Sequence, residues 1–197
     1  MATPVTARDR AKAERSDAIL HEAASLFAAR GYNGVSLEDI GAAVGVSGPA
    51  VYRHFTGKQA LLGAVLVKVS HDLIAGGEAV AATHPDSDGR MRALIRFHVG
   101  FALSNAAVIQ VQDRDVVHLS DTDRADVRRL QRAYIELWIG ALAPLHPADA
   151  DELRLRVQAC FGLINSTPHS TRAAIRRHAS TADILAGMAY SALLAST

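Results

Sequence analysis

The run Ser47-Gly48-Pro49-Ala50-Val51-Tyr52-Arg53-His54-Phe55-Thr56-Gly57-Lys58 gathers side chains that can grip a polyanion and read hydrogen-bonding edges. The small residues Gly48 and Ala50 allow close approach to a nucleic acid. Ala50 or Pro49 can touch a thymine methyl, and Arg53 can pair with guanine or with phosphate. Tyr52 and Lys58 suit phosphate oxygens. Lys58 also falls at a helix start, where free amides and the dipole favour an anion.

Such chemistry needs a short helix held away from its own core, and the flanking residues supply one. Ser36 can cap a helix whose Leu37, Ile40 and Val44 face one way and which Gly45 ends. Ser47 is the next cap candidate, with Pro49 in the first turn, where proline is tolerated. That second helix runs to about His54, and Val51 and Phe55 can anchor it while its other residues stay available. Two short helices joined through Gly45-Val46-Ser47 have the shape of a helix-turn-helix, whose second helix fits the major groove. Ahead of them, Ile19, Leu20, Ala23, Ala24, Phe27 and Ala28 recur at helical spacing from Asp9 to Ala29, and Gly31 is placed to end that helix. After them, Thr56-Gly57 breaks the chain. A long helix then starts near Lys58, with the stripe Leu61, Leu62, Val65, Leu66, Val69 and Leu73.

The remainder reads the same way. Thr83 to Gly89 is a loop. Further amphipathic helices carry Met91 to Ala102, Val127 to Leu142, Leu153 to Ile164 and Ile184 to Leu193, with a less periodic piece from Val108 to Leu119. Nothing alternates with period two long enough to make a strand, so the expected fold class is all-α. The chain has 197 residues, 49% of them hydrophobic, a formal net charge of +1 and one cysteine. It is too apolar to be disordered. Lone Cys160 supports neither a disulfide framework nor a thiolate metal cluster. The polar start and the lack of an apolar run near the roughly 20 residues of a membrane span predict a cytoplasmic protein without a membrane partner. A Gly-rich phosphate loop, a nucleophile elbow and a paired-carboxylate pattern are all missing, so no catalytic residue and no cofactor are expected. Asp113, Asp115 and His118 stand close enough to share a metal, but no second cluster supports them, and no metal site is expected.

The segment Gly45 to Leu62, with the lead-in Arg30-Gly31-Tyr32 and Val35-Ser36-Leu37-Glu38-Asp39-Ile40, closely resembles the DNA-binding signature of TetR-type (TetR/AcrR) transcriptional regulators. The resemblance in motif covers about the first third of the chain. It implies a helix-turn-helix DNA-binding domain over residues 1–60 and a helical ligand-binding and dimerisation domain over 61–197. It further implies a homodimer on a double-stranded inverted-repeat operator, released by a small hydrophobic effector. The family's phosphate-contacting tyrosine and lysine map onto Tyr52 and Lys58. Ser47, Gly48, Pro49, Ala50, Arg53 and His54 map onto the reading helix, and Ser36 and Glu38 onto positions that approach DNA. Two departures stand out: many relatives carry a longer polar side chain at Gly48, and Glu38 cannot bind phosphate, although it can accept from a cytosine amino group. Arg8, Arg10, Lys12 and Arg15 either add backbone contacts or form a solvated helix start.

Beyond about residue 80 several polar and aromatic groups lie on apolar stripes: His98, Phe101 and Asn105, then Tyr134 and Trp138, then Phe161 and Asn165. With His118 they are the candidate ligand contacts, because an apolar cavity with a few convergent polar groups is what a small-molecule site looks like. The plainer reading is a packed bundle whose buried polar groups satisfy one another. The dense arginines of residues 124–132, 154–156 and 172–177 read as solvated surface or as a phosphate-bearing effector site. Some TetR relatives sense acyl-CoA, which makes a thioester tail in an apolar tunnel one candidate. A rival from another class is a helical ligand-binding or interaction module without specific DNA binding.

Overall fold

A computed structural model describes residues 6–196, and the side chain of Arg8 lies outside the described set. The described residues form eleven α-helices and a single 3-10 turn, with no strand among them. The first three are α1 (Ala7–Arg30), α2 (Leu37–Ala43) and α3 (Gly48–Tyr52). A long α4 (Lys58–Ala82) leads to α5 (Ser87–Ser104), α6 (Ala106–Asp115) and the 3-10 turn Val116–His118. The chain then runs through α7 (Asp121–Leu142), α8 (Ala150–Asn165), the single turns α9 (Thr167–Ser170) and α10 (Ala173–Arg176), and α11 (Thr181–Leu193).

Local chemistry sets most boundaries. Ser36 and Asp39 form a reciprocal capping box at the start of α2, with Asp39 N–H donating to Ser36 Oγ at 3.0 Å and Ser36 N–H to Asp39 Oδ2 at 2.8 Å. Asp86, Ser120 and Asp149 cap α5, α7 and α8 one-sidedly, their side chains accepting from the Gly89, Asp123 and Glu152 N–H groups. The expected loop at Thr83–Gly89 is therefore shorter, since α5 begins inside it. Pro168 follows the end of α8 at Asn165. It sits in the first turn of α9, and Ser166 Oγ and Thr167 Oγ1 donate to the Leu163 and Ile164 carbonyls at 2.9 and 2.7 Å.

Two cores are present. One joins Ile19, Phe27, Leu37, Ile40 and Val51 to Leu61, Leu62, Val65 and Leu66 of α4, and takes in Val111, Leu119 and Val127 from far along the chain. The other is built on Met91, Leu94, Trp138, Leu142, Val157 and Ile164, with Leu73, Ile74 and Val80 of α4 against it. The 60/61 boundary expected from the sequence thus falls in the first turn of a helix that both cores share. By length and composition α4 is apolar enough to cross a membrane, which the sequence reading did not expect of any segment. Its apolar stripe is instead spent on these two cores.

Candidate nucleic-acid interface and ligand cavity

The short helices are held by glycines and one apolar anchor. Gly45 turns the chain at φ +70°, a left-handed conformation that favours glycine. A Cβ on Gly41 would stand 2.9 Å from the Val46 carbonyl oxygen and 3.3 Å from Val51 Cγ2, so only glycine lets α2 and α3 approach this closely. Val51 is fully buried, and Phe55 packs partly buried against the same core. What remains outside is the reading surface: Ser47, Pro49 and Arg53 are exposed, Gly48 and His54 half-buried, and Tyr52 is 53% exposed. Arg53, His54, Lys12 and Arg15 line one cleft between α3 and the first turns of α1, with Asp9 as its single carboxylate. The basic arm and the reading helix therefore share one face.

Three expected DNA contacts stand differently. Ala50 is only 9% exposed and opens into that cleft rather than onto the outer face of α3. Ser36 Oγ is committed to the capping box, donating to Asp39 Oδ2 at 2.7 Å. Lys58 points its ammonium inward, donating to the Tyr32 and Val35 carbonyls at 2.8 and 2.9 Å and lying 4.5 Å from the Tyr32 ring centre. Two of its three donors are thereby occupied. The lysine pins the α1–α2 turn to the start of α4. That start carries no side-chain cap, so its first amides remain open beside Tyr52. Glu38 is exposed and leans over Gly48, where an added Cβ would meet Glu38 Cγ at 3.3 Å. The glycine makes room for that carboxylate.

The second site is a cavity of about 260 Å³ between α4, α5, α6, α7 and α8. His98, Tyr134, Phe161 and Asn165 converge on it. Tyr134 and Phe161 stack at 5.5 Å between ring centres, and His98 lies 4.6 Å from Phe161. Trp138 stands behind, edge-on to Phe161 at 4.8 Å, and Phe101 flanks His98 at 6.1 Å. Burial pushes His98 down to about 4, partly opposed by nearby Asn165, so the ring is neutral at physiological pH. Burial likewise raises the Tyr134 phenol and pushes the Cys160 thiol up to about 12, which leaves Cys160 an inert core thiol.

The other expected ligand contacts lie elsewhere. Asn105 sits at an 82° bend between α5 and the segment from Ala106 to His118, and its Nδ2 donates to the Phe101 carbonyl at 3.0 Å. His118 stacks on Tyr32 at 4.4 Å, and its carbonyl accepts from Gln59 Nε2 at 3.0 Å. Asp113 and Asp115 also part from it: Asp113 Oδ2 meets His169 Nε2 at 2.9 Å, while Asp115 is buried against Arg114. Sequence reasoning missed four neutral polar liners, Ser70, Gln112, Gln131 and Gln158. Two of them carried a signal: Gln131 precedes Tyr134, and Gln158 precedes Phe161, by three residues on the same helix.

The comparisons with known proteins agree with this geometry. The model of the bacterial regulatory proteins of the tetR family matches residues 19–65, from α1 to the first half of α4. The HTH-type transcriptional repressor KstR2 of Rhodococcus jostii (strain RHA1) is 32% identical over 143 residues, spanning 71% of this chain and 70% of the relative. The chain belongs to the TetR family. The fold of this TetR-family protein also matches solved structures at low identity. A TetR-family transcriptional regulator from Bordetella parapertussis 12822 superposes with a TM-score of 0.79 at 23% identity, covering 92% of this chain and 94% of that one. AibR, solved with isovaleryl coenzyme A and operator DNA, superposes with a TM-score of 0.74 at 21% identity, covering 91% and 98%. The chain is a DNA-binding transcriptional regulator with the helix-turn-helix described above.

Proposed function

We propose that this TetR-family regulator is a homodimeric cytoplasmic repressor of an inverted-repeat operator, released when a small hydrophobic effector enters the cavity. It does no catalysis. The observation that carries this reading is α6. One face of that helix gives Gln112 to the cavity. Two residues on, Arg114 donates to the Phe27 and Ala28 carbonyls at the end of α1 and is held there by buried Asp115 at 3.0 Å. A ligand that displaces Gln112 therefore acts on the helix that carries the basic arm. The effector can shift operator binding only as far as it prefers one arrangement of α6 over the other.

Dimerisation has its own support. Leu155 of α8 and Ile184 and Met188 of α11 are 66%, 57% and 52% exposed, an apolar surface that a second copy would cover. In the dimer the two α3 helices would sit roughly 34–36 Å apart when the operator is bound. Tyr52 and the open amides of α4 would take phosphates, and Pro49, Gly48 and Arg53 would face base edges.

The test is capture of fragmented genomic DNA by the purified protein at moderate salt, followed by sequencing. A small set of inverted repeats beside identifiable genes is the expected result, and AibR makes isovaleryl coenzyme A the first effector to try against them. Ligand retention with only random, salt-labile DNA would instead favour the rival module without specific DNA binding, for which the Glu38 carboxylate on the reading face is the supporting observation.

A further inference from the structure

The two flanks of the reading helix carry opposite charge. On one side, Lys12, Arg15, Arg53 and His54 line the cleft against α1. On the other, Tyr52, Lys58, Glu38 and Asp39 line a groove between α3 and the start of α2. Most of the charge in that groove is already committed. The Lys58 ammonium serves the Tyr32 and Val35 carbonyls, and the Asp39 carboxylate serves Ser36. Glu38 is exposed, and no hydrogen bond or ion pair among the described residues engages it.

Gly48 fixes where that carboxylate lies. It is the first residue of α3, and its φ is not positive, so its backbone conformation does not require glycine. What a Cβ there would meet is Glu38. The three nearest atoms are Cγ at 3.3 Å, Oε1 at 3.4 Å and Cδ at 3.7 Å of that one side chain. The N-terminal residues of a recognition helix are the ones that reach base edges. Glu38 therefore lies across the base-reading end of α3, away from the cationic flank that suits phosphates.

An ionised carboxylate only accepts hydrogen bonds. Guanine and thymine show it only acceptors in the major groove, and adenine sets its N7 acceptor beside its amino group. Cytosine offers the N4 amino group with no acceptor of its own alongside. We propose, building on the operator reading above, that Glu38 and Gly48 form one specificity device. The Glu38 carboxylate accepts from the N4 amino group of one cytosine in each half-site, and Gly48 leaves the space that lets it lie there.

Selection from a library of randomised duplexes at moderate salt reads every base position at once. The full-length protein is compared with Glu38→Ala and Gly48→Val. The unaltered protein should prefer cytosine at one position of each half-site, at least about 5-fold over the other bases. Glu38→Ala should lose that preference and keep the others. Gly48→Val, whose methyls would take the space of the carboxylate, should lose it at the same position. Removing a carboxylate also raises affinity for every duplex at low salt, so preference is the readout. A base analogue isolates the contact. Pyrimidin-2-one, which is cytosine without its amino group, should weaken the unaltered protein at least about 5-fold more than it weakens Glu38→Ala, since both feel the altered base pair alike.

Equal weakening of the two proteins, or loss of a preference for a base other than cytosine, overturns the proposal. So does a cytosine preference that survives either substitution. Inverted repeats recovered with the same bases by all three proteins would sink this inference alone. No enriched repeat from the unaltered protein would sink the repressor reading, and this inference with it.

Discussion

The reading head and the cavity are built on opposite plans. In the head, polar groups are satisfied by near neighbours: Ser36 with Asp39, Lys58 with the carbonyls of Tyr32 and Val35. In the cavity, His98, Trp138 and Asn165 keep atoms without partners, and the walls come from five helices spread over almost a hundred residues of sequence, from Ser70 to Asn165. A head must present one fixed surface, so tying its turn and its capping side chains internally serves it, while the uncapped amides that begin α4 stay open. A binding cavity must hold something back for its guest. The contrast teaches where stability resides and where it has been given up.

The largest test of that contrast compares two truncations. Leu62→Ala removes a fully buried side chain from the head core and should cost about 2–5 kcal/mol. Phe161→Ala removes a larger group, but one that already faces empty space, and should cost about 1–2 kcal/mol, below the usual range for a buried phenylalanine. Denaturant melts of both variants check the order, and a costlier Phe161→Ala would mean that the cavity wall is as tightly packed as the head. Acid is the next largest effect. An unfolded imidazole takes up its proton below about 6.5, whereas buried His98 does so only near 4, so the unfolded chain binds more protons in between and stability falls as pH drops through that window. The loss should reach about 3 kcal/mol, and in His98→Phe this part of the pH dependence should vanish.

Lys58→Met should cost about 1–2 kcal/mol of stability through two lost carbonyl bonds, with the salt slope of DNA binding unchanged. A slope smaller by about one would instead assign the ammonium to a phosphate. The smallest effect concerns Glu38. Replacing it with Gln removes a carboxylate from an exposed face and should tighten DNA binding by less than about 1 kcal/mol, read as a modest rise in affinity at low salt.

The same contrast governs what could be read from sequence. The head was legible because each of its devices is local: a cap at Ser36, a left-handed glycine at Gly45, an anchor at Val51. Even there, the surroundings of Ala50 and Lys58 were not legible, because the cleft against α1 and the carbonyls of the α1–α2 turn come from more than twenty residues away. The cavity was legible only in part. His98, Tyr134, Phe161 and Asn165 stood out as polar or aromatic residues on apolar stripes. Gln112, Gln131 and Gln158 did not, because a glutamine on the flank of an amphipathic helix looks the same whether it meets solvent or a ligand. Asn105 was grouped with His98 by assuming that α5 continues beyond Ser104, where the chain in fact bends by 82°. His118 was misplaced because nothing nearby in sequence announces its stacking on Tyr32.

Helix α4 carries a consequence for anyone who would re-engineer this protein. Because Leu61, Leu62, Val65 and Leu66 complete the head core while Leu73, Ile74 and Val80 serve the other, the head is not an interchangeable cartridge. A chimera joined after residue 60 would set a foreign helix under Phe27, Ile40 and Val51, and would also have to match Val111, Leu119 and Val127. A successful graft would travel with the first three turns of α4 and keep a compatible α6, so the seam between specificities runs across the protein's contacts and not at one point along its chain.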